Sequence, residues 1–407
     1  MSKNEKTALL PRLRFPEFLN YEDWSYDFLG EISMILRGGS PRPIDNYITR
    51  EPSGLNWLKI GDVDKEAKYI SQTSDRVIKE ALSKTREVNI GDLIMSNSMS
   101  FGRPYILKTK TCIHDGWIAI TEIKKSVITD YLYYYVLSNG SQKYFLNSAA
   151  GGGIKNLNAE IIKALPLAFP KKEEQQKIAD CLSSLDDLIA AEDNKLEALK
   201  SHKKGLMQKL FPAEGETVPE WRFPEYRGSG EWDKRKLSNL CEMQAGKFVQ
   251  ASEIHEIRKN NMFPCYGGNG LRGYTSSFTH SGEYSLIGRQ GALCGNITYT
   301  TGDFHATEHA VVATNKNPVI AKWLYYLLVK MDLNQYATGQ AQPGLSVQVL
   351  KKIMTFAPKE EKEQQKIANC LSSVDYLIAE QAKKIEALKD HKKGLMQGLF
   401  PSVEEVD

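Results

Sequence analysis

Apolar residues recur at alternating spacings of four and three along one stretch: Ile178, Leu182, Leu185, Ile189, Leu196, Leu199, Leu206 and Leu210, completed by Glu192 and Lys203. Such a seam is the heptad pattern of a helix that pairs with another helix. The pattern returns at Ile367, Leu371, Val374, Ile378, Ile385, Leu388, Leu395 and Leu399, and its two polar interruptions, Gln381 and Lys392, fall where Glu192 and Lys203 fall. Polar seam residues cost stability and select register, so the two helices are expected to pair in one alignment. Amphipathic helices are mostly spent on their own domain. Here about 38 residues at roughly 1.5 Å each give a rod of about 57 Å, longer than a small domain covers, and an antiparallel pair is the expected arrangement. Both runs close on "LFP", where proline ends the helix.

Outside the seams the period changes. The first insert offers strands in "NWLKIGDV", "GDLIMSNS" and "GWIAITEI", then a helix over "DYLYYYVLSN". The second offers "EYSLIGRQ", "NITYT" and "HAVVATN", then "AKWLYYLLVK". Each then passes through a glycine-rich turn, "AAGGGIKNLN" or "ATGQAQPGLS", to a short amphipathic stretch and its long helix. The order matches while the letters differ, which predicts one α/β fold carrying two different contact surfaces.

The frame around these inserts is a tandem duplication. From Glu174 and from Glu363 the chain is identical at 29 of 39 positions, including the heptapeptide "HKKGLMQ" at His202–Gln208 and His391–Gln397. "LRFPEF" answers "WRFPEY", and Trp24, Leu29 and Gly38 meet Trp232, Leu237 and Gly246 at a spacing of 208, against 189 for the helices, so the first copy is 19 residues longer in its middle. The expected fold class is α/β (α+β). Residues 1–170 form a first mixed domain, 171–212 the first repeated helix, 213–357 a second mixed domain, and 358–407 the second helix and tail, with the helices paired as an antiparallel coiled coil about a pseudo-two-fold axis. His202, Lys203, Lys204 and their copies suit the negative end of a helix dipole, but two copies of one whole surface also imply two copies of one bound partner.

Composition narrows the class. With 407 residues and 41% apolar content, ordinary cores can form, and the net charge of +3 attracts a polyanion only weakly. Contact with nucleic acid then has to rely on local loops or on attached subunits. No stretch approaches 18 unbroken apolar residues and the start has no signal core, so the expectation is a cytoplasmic chain without membrane association. Six cysteines without a CxxC pair are expected to stay reduced.

The candidate chemistry lies in two loops that the strand alignment sets against each other, "SNSMSFGRP" (96–104) and "GRQGALCGN" (288–296). Arg matches guanine, and Asn or Gln matches adenine, because their hydrogen-bonding forks fit those major-groove edges. The candidate DNA-binding residues are Asn97, Ser98 and Arg103 in the first insert, and Asn269, Arg272, Arg289, Gln290 and Thr307 in the second. "GNGLRG" fits a dinucleotide fingerprint but lacks the helix that must follow. "HATEH" fits a zinc-peptidase spelling but alternates like a strand, which sets His305 and His309 about 13 Å apart. No metal is expected. "DVDKEAK" is too common a spacing to mark a nuclease, and neither an Asn-Pro-Pro-aromatic stretch nor a P-loop lysine motif is present. A chain with no coherent catalytic constellation is expected to bind rather than react.

Two variable inserts alternate with two long repeated helices, each entered through "PKKEEQQKIA" or "PKEEKEQQKIA" and preceded by a glycine-rich turn. This order of parts resembles the specificity subunit of type I restriction-modification enzymes over nearly the whole chain. The first turn, "GGGIKNLN", departs from the "AQPGLS" wording of the second. The resemblance implies that each α/β domain is a target recognition domain reading one half of a split, asymmetric site in double-stranded DNA. It implies that the helices set the gap and dock two methyltransferase subunits, and that restriction motor subunits join them. It further implies that S-adenosylmethionine, ATP and magnesium act in those partners, with no cofactor in this non-catalytic chain. Half-sites one duplex turn apart, roughly 34 Å, suit a rod of the length above. The competing classes are a free-standing DNA-binding or bridging protein and a coiled-coil adaptor whose inserts bind protein.

Overall fold

The computed structural model describes residues 10–64, 66–97, 102–149, 157–291, 293–339 and 343–401. The chain divides into two compact units, the first comprising Met1–Glu192 with Lys384–Asp407 and the second Asp193–Lys383. Both dividing points fall inside long helices, Lys172–Leu210 and Glu361–Leu399, each of 39 residues. Each unit therefore owns a stretch of both helices.

Every seam position of both helices is buried or half-buried, whereas the positions between are mostly exposed. In unit 1, Asp186 pairs with Lys392 and Glu192 with Lys384. The partner number falls as the first rises, so these stretches run antiparallel. In unit 2, Lys203 lies 2.5 Å from Asp375, while Met207 and Leu210 share a core with Ile367 and Leu371. The sense is the same. The polar seam residues Glu192, Lys203 and Lys392 are thus spent on cross-helix ion pairs, which fix register.

The main sheet of unit 1 has the order Met34–Arg37, Trp117–Thr121, Leu93–Ser96, Pro104–Leu107, Tyr69–Ile70. The strand from "GWIAITEI" lies between two neighbours and buries Trp117 to Ile120 without a break, which explains why that run is continuously apolar. A second five-stranded sheet has the order Ile48–Thr49, Asp75–Val77, Leu55–Leu58, Thr111–Ile113, Arg86–Val88. The helix Thr129–Leu137 packs into the core with Tyr131 to Val136 all buried. Three of its four tyrosine hydroxyls donate to named acceptors: Tyr131 to Ala168 O (2.7 Å), Tyr134 to Asp186 (2.7 Å) and Tyr135 to Pro166 O (2.9 Å).

Unit 2 is built on one six-stranded sheet, in the order Cys241–Ala245, Ala310–Asn315, His280–Gly288, Ile297–Ala306, Phe263–Gly267, Gly270–Thr275. "GNGLRG" is the turn of the last hairpin and the strand that leaves it. "HATEH" departs from expectation. The strand ends at Ala306, residues 307–309 form a turn closed by Ala310 N–H donating to Thr307 O (3.0 Å), and a new strand begins at Ala310.

The segments that match between the copies meet in space within each unit. Arg14 of "LRFPEF" holds Glu174 through two bonds of 2.8 Å, and Arg222 of "WRFPEY" holds Glu363 through two of 2.7 Å. Gln175 accepts from Ile128 N–H (2.8 Å) and Gln364 from Ile320 N–H (3.0 Å), tying each long helix to the start of the helix in its insert. Tyr326 repeats the Tyr134 bond by donating to Asp375 (2.6 Å). Each "LFP" end is docked as well: Phe400 lies 5.7 Å from Tyr131 and Tyr135, and Phe211 lies 6.2 Å from Trp232 and Trp323, measured between ring centres. All six cysteines are free thiols, and burial pushes that of Cys241 up to about 12. Among the described residues no helix is long and apolar enough to cross a membrane.

Candidate nucleic-acid interface

One backbone arrangement recurs at the rim of both sheets. In unit 2, Gly246 N–H donates to Ala310 O (2.9 Å) and Lys247 N–H to Ala306 O (2.8 Å). Arg289 N–H donates to His309 O (2.9 Å), and Arg289 O accepts from Leu345 N–H (2.9 Å). In unit 1, Gly38 N–H donates to Trp117 O (2.9 Å) and Gly39 N–H to Ile113 O (3.1 Å). Asn97 N–H donates to Gly116 O (3.1 Å), and Asn97 O accepts from Leu157 N–H (3.1 Å). Asn97 and Arg289 therefore hold equivalent places, as the alignment of the two loops predicts. The paired glycines are required for the close approach: a Cβ would stand 2.1 Å from His114 O at Gly38 and 2.3 Å from Ala306 O at Gly246.

In unit 2 this clasp gathers most of the candidate residues. Gly268 and Asn269 form the tip of the last hairpin. The tip lies against the end of the 280–288 strand so tightly that a Cβ on Gly288 would fall 2.0 Å from Gly268 O. Asn269 is exposed, and its Oδ1 accepts from Asn296 Nδ2 (3.1 Å). Gln290 is exposed, with Oε1 2.9 Å from His309 Nδ1. Arg289 is half-buried. Arg272 is exposed on the departing strand, its Cδ 3.7 Å from where a Cβ would sit on Gly267. Thr307 is completely buried, and its Oγ1 accepts from His309 N–H (3.4 Å), so it shapes the turn from within.

Unit 1 presents a different face. Asn97 is buried at 4% exposure and its Nδ2 donates to Asp115 O (2.9 Å), so the fork points inward. Ser98 lies outside the described residues. Arg103 is half-buried, 3.6 Å from Glu66 and 6.0 Å from the Tyr105 ring centre, and its Nε is sealed without an acceptor among the described residues. The neighbours of Asn97 were not singled out in the sequence. Asp115 accepts from Ser40 Oγ (2.6 Å), a bond that holds its carboxyl below the usual range, and exposed Arg42 stands 3.5 Å away. Burial lowers the proton affinity of His114, whose Nδ1 accepts from Gly116 N–H (2.8 Å), so its 3.6 Å approach to Asp115 is not an ion pair. Gln142 donates to Gly102 O (3.0 Å) and Val136 O (2.8 Å), bracing the other end of the loop. A signal was present: "GGSPRP" begins at Gly38 where "GKFVQ" begins at Gly246.

The exposed forks of Asn269, Arg272 and Gln290, on a rim set by backbone bonds, are chemically suited to base edges. Among the described residues no group of three or more His, Cys, Asp or Glu side chains is placed to hold a metal ion.

Comparison with known proteins bears on this arrangement. A family model described as "Type I restriction modification DNA specificity domain" matches residues 21–201 and again 229–390. The type I restriction enzyme EcoprrI specificity subunit of Escherichia coli is 43% identical over 134 residues, a span covering 33% of this chain and 33% of that protein. The type I restriction enzyme MjaVIII specificity subunit of Methanocaldococcus jannaschii is 25% identical over 435 residues, covering 98% of this chain and 96% of its own. Among solved structures, the S subunit of a type I restriction-modification system from M. genitalium covers 97% of this chain and 99% of its own, with 18% identity and a TM-score of 0.63. A chain from a study of type I R-M complex assembly and conformational transition covers 93% and 98%, with 15% identity and a TM-score of 0.56. These two likenesses establish the fold.

Proposed function

Because the chain belongs to the type I restriction-modification DNA specificity family, we propose that each of its units reads one half of a bipartite, asymmetric site in double-stranded DNA. The observation that carries this reading is the shared clasp: equivalent backbone bonds hold Asn97 turned inward in unit 1 and Arg289 at a half-exposed rim in unit 2. Two copies of one frame bearing unlike side chains recognise two unlike sequences.

The repeated heptapeptide supports a docking role for the helices. Lys203 and Lys392 face inward to Asp375 and Asp186, and Met207 is buried. His202, Lys204 and Gln208 stay exposed, as do His391, Lys393 and Gln397. Internal packing accounts for the first group and leaves the second. One exposed surface spelled twice fits two copies of one partner, the methyltransferase subunit, with restriction motor subunits joining where they exist. This chain acts in the cytoplasm and carries no cofactor of its own. Adenine methylation with S-adenosylmethionine, and cleavage with ATP and magnesium, belong to the partners.

The test is a genome-wide map of methylated adenines in cells carrying this chain with a cognate methyltransferase subunit, against cells without this chain. A new split motif with unlike halves is the expected result. No new motif, with the partner active beside another specificity subunit, would overturn the reading and favour a free-standing binder.

A further inference from the structure

Gln290 is held by its neighbours. Its Oε1 lies 2.9 Å from His309 Nδ1, and the other ring nitrogen of His309 lies 3.2 Å from Glu308 Oε1. An amide oxygen only accepts, so Nδ1 is the donor in that bond. The second carboxylate oxygen, Glu308 Oε2, is sealed from solvent and has no hydrogen-bond partner among the described residues. The ring is therefore flanked by Gln290 on one side and by Glu308 on the other. The loop bearing Gln290 and the turn bearing Glu308 and His309 are joined by the Arg289 N–H bond to His309 O (2.9 Å).

We propose that His309 is a positioning residue for specificity: it holds the carbonyl of Gln290 and turns the Gln290 amide NH2 toward DNA. The inference rests on the reading that unit 2 contacts a half-site. An unconstrained glutamine offers a donor and an acceptor, the fork that matches adenine. With Oε1 directed at His309, the outward end is a donor. The base edge it selects is one presenting an acceptor, guanine O6 or N7, adenine N7 or thymine O4, and not the cytosine amino group.

The experiment uses the full chain with its methyltransferase partner and scores methylation at every variant of the recognised site. In His309→Leu, preference at one position of one half-site should fall about tenfold while the other half stays unchanged. His309→Asn, which sets an amide NH2 where Nδ1 stood, should keep the preference. His309→Phe, which fills the space of the ring without a donor, should lose the preference in the same way and serves where the leucine variant folds poorly. A merely structural role lowers methylation at all sites alike. That result, or an unchanged preference in both His309→Leu and His309→Phe, would overturn the proposal. A wild-type chain that directs no bipartite motif would instead overturn the underlying function.

Discussion

The frame and the clasp are both duplicated, yet they have aged differently. In the frame, Arg14 with Glu174 and Arg222 with Glu363 use the same side chains, as do the Tyr134–Asp186–Lys392 and Tyr326–Asp375–Lys203 clusters. In the clasp, the bonds are equivalent but the residues at the rim are not: Asn97 stands for Arg289 and Gly116 for His309, with only the leucine, Leu157 or Leu345, kept. Frame bonds run between side chains, so losing a letter loses the bond. Clasp bonds run between backbone groups, which every residue but proline supplies in full. A rim built this way can change what it displays without changing how it is held.

That contrast can be broken at its strong end first. Arg222→Met leaves Glu363, 1% exposed, without its main partner, and should destabilise unit 2 by about 3–5 kcal/mol in chemical unfolding, while Arg222→Met with Glu363→Leu recovers most of the loss. A double variant as unstable as the single one would show that the pair does more than neutralise itself. Exchange of segment 97–103 or 289–296 for that of a relative should leave the fold intact and alter one half of the methylated motif. A change in both halves would defeat the two-headed account. Lys203→Met should cost about 1 kcal/mol, because the Lys203–Asp375 pair is only partly covered, and Lys203→Asp with Asp375→Lys should restore part of it in a double-mutant cycle. The smallest effect concerns His114. Its folded affinity for protons is lowered by burial, so the unfolded chain protonates first. Its contribution to stability is full above about pH 6.5 and declines as pH falls toward the lower folded value. His114→Asn, which can still accept from Gly116 N–H, should flatten the fall of melting temperature with pH in that window.

The helices and their alignment were legible because heptads and duplicated letters are one-dimensional signals: the ten positions read as each seam are all buried or half-buried in the fold. The direction of a side chain is not such a signal. Asn97 and Gln290 are both amide forks in loops, and only the packing of Asp115 or His309 against them turns one inward and leaves the other exposed. "HATEH" read as a strand because its alternation continues past Ala306. Thr307 is buried to cap a turn rather than to face a neighbouring strand, and burial at every second position does not distinguish the two. Within the heptapeptide "HKKGLMQ" the seam marks Lys203 and Leu206 as inward, but Met207, which lies beside the seam, is buried as well.

The points that divide the units inside the long helices also govern the order in which the protein can form. Unit 2 is one continuous segment, Asp193–Lys383, whereas unit 1 needs Lys384–Asp407 as well as Met1–Glu192. Synthesis delivers the amino-terminal portion first, but the core of unit 1 waits for Leu399 and Phe400. The unit encoded first is therefore completed last, after closing a loop of nearly the whole chain, the slowest class of contact to make. A chain cut after Lys383 would keep every residue of unit 2 and leave unit 1 with an open core.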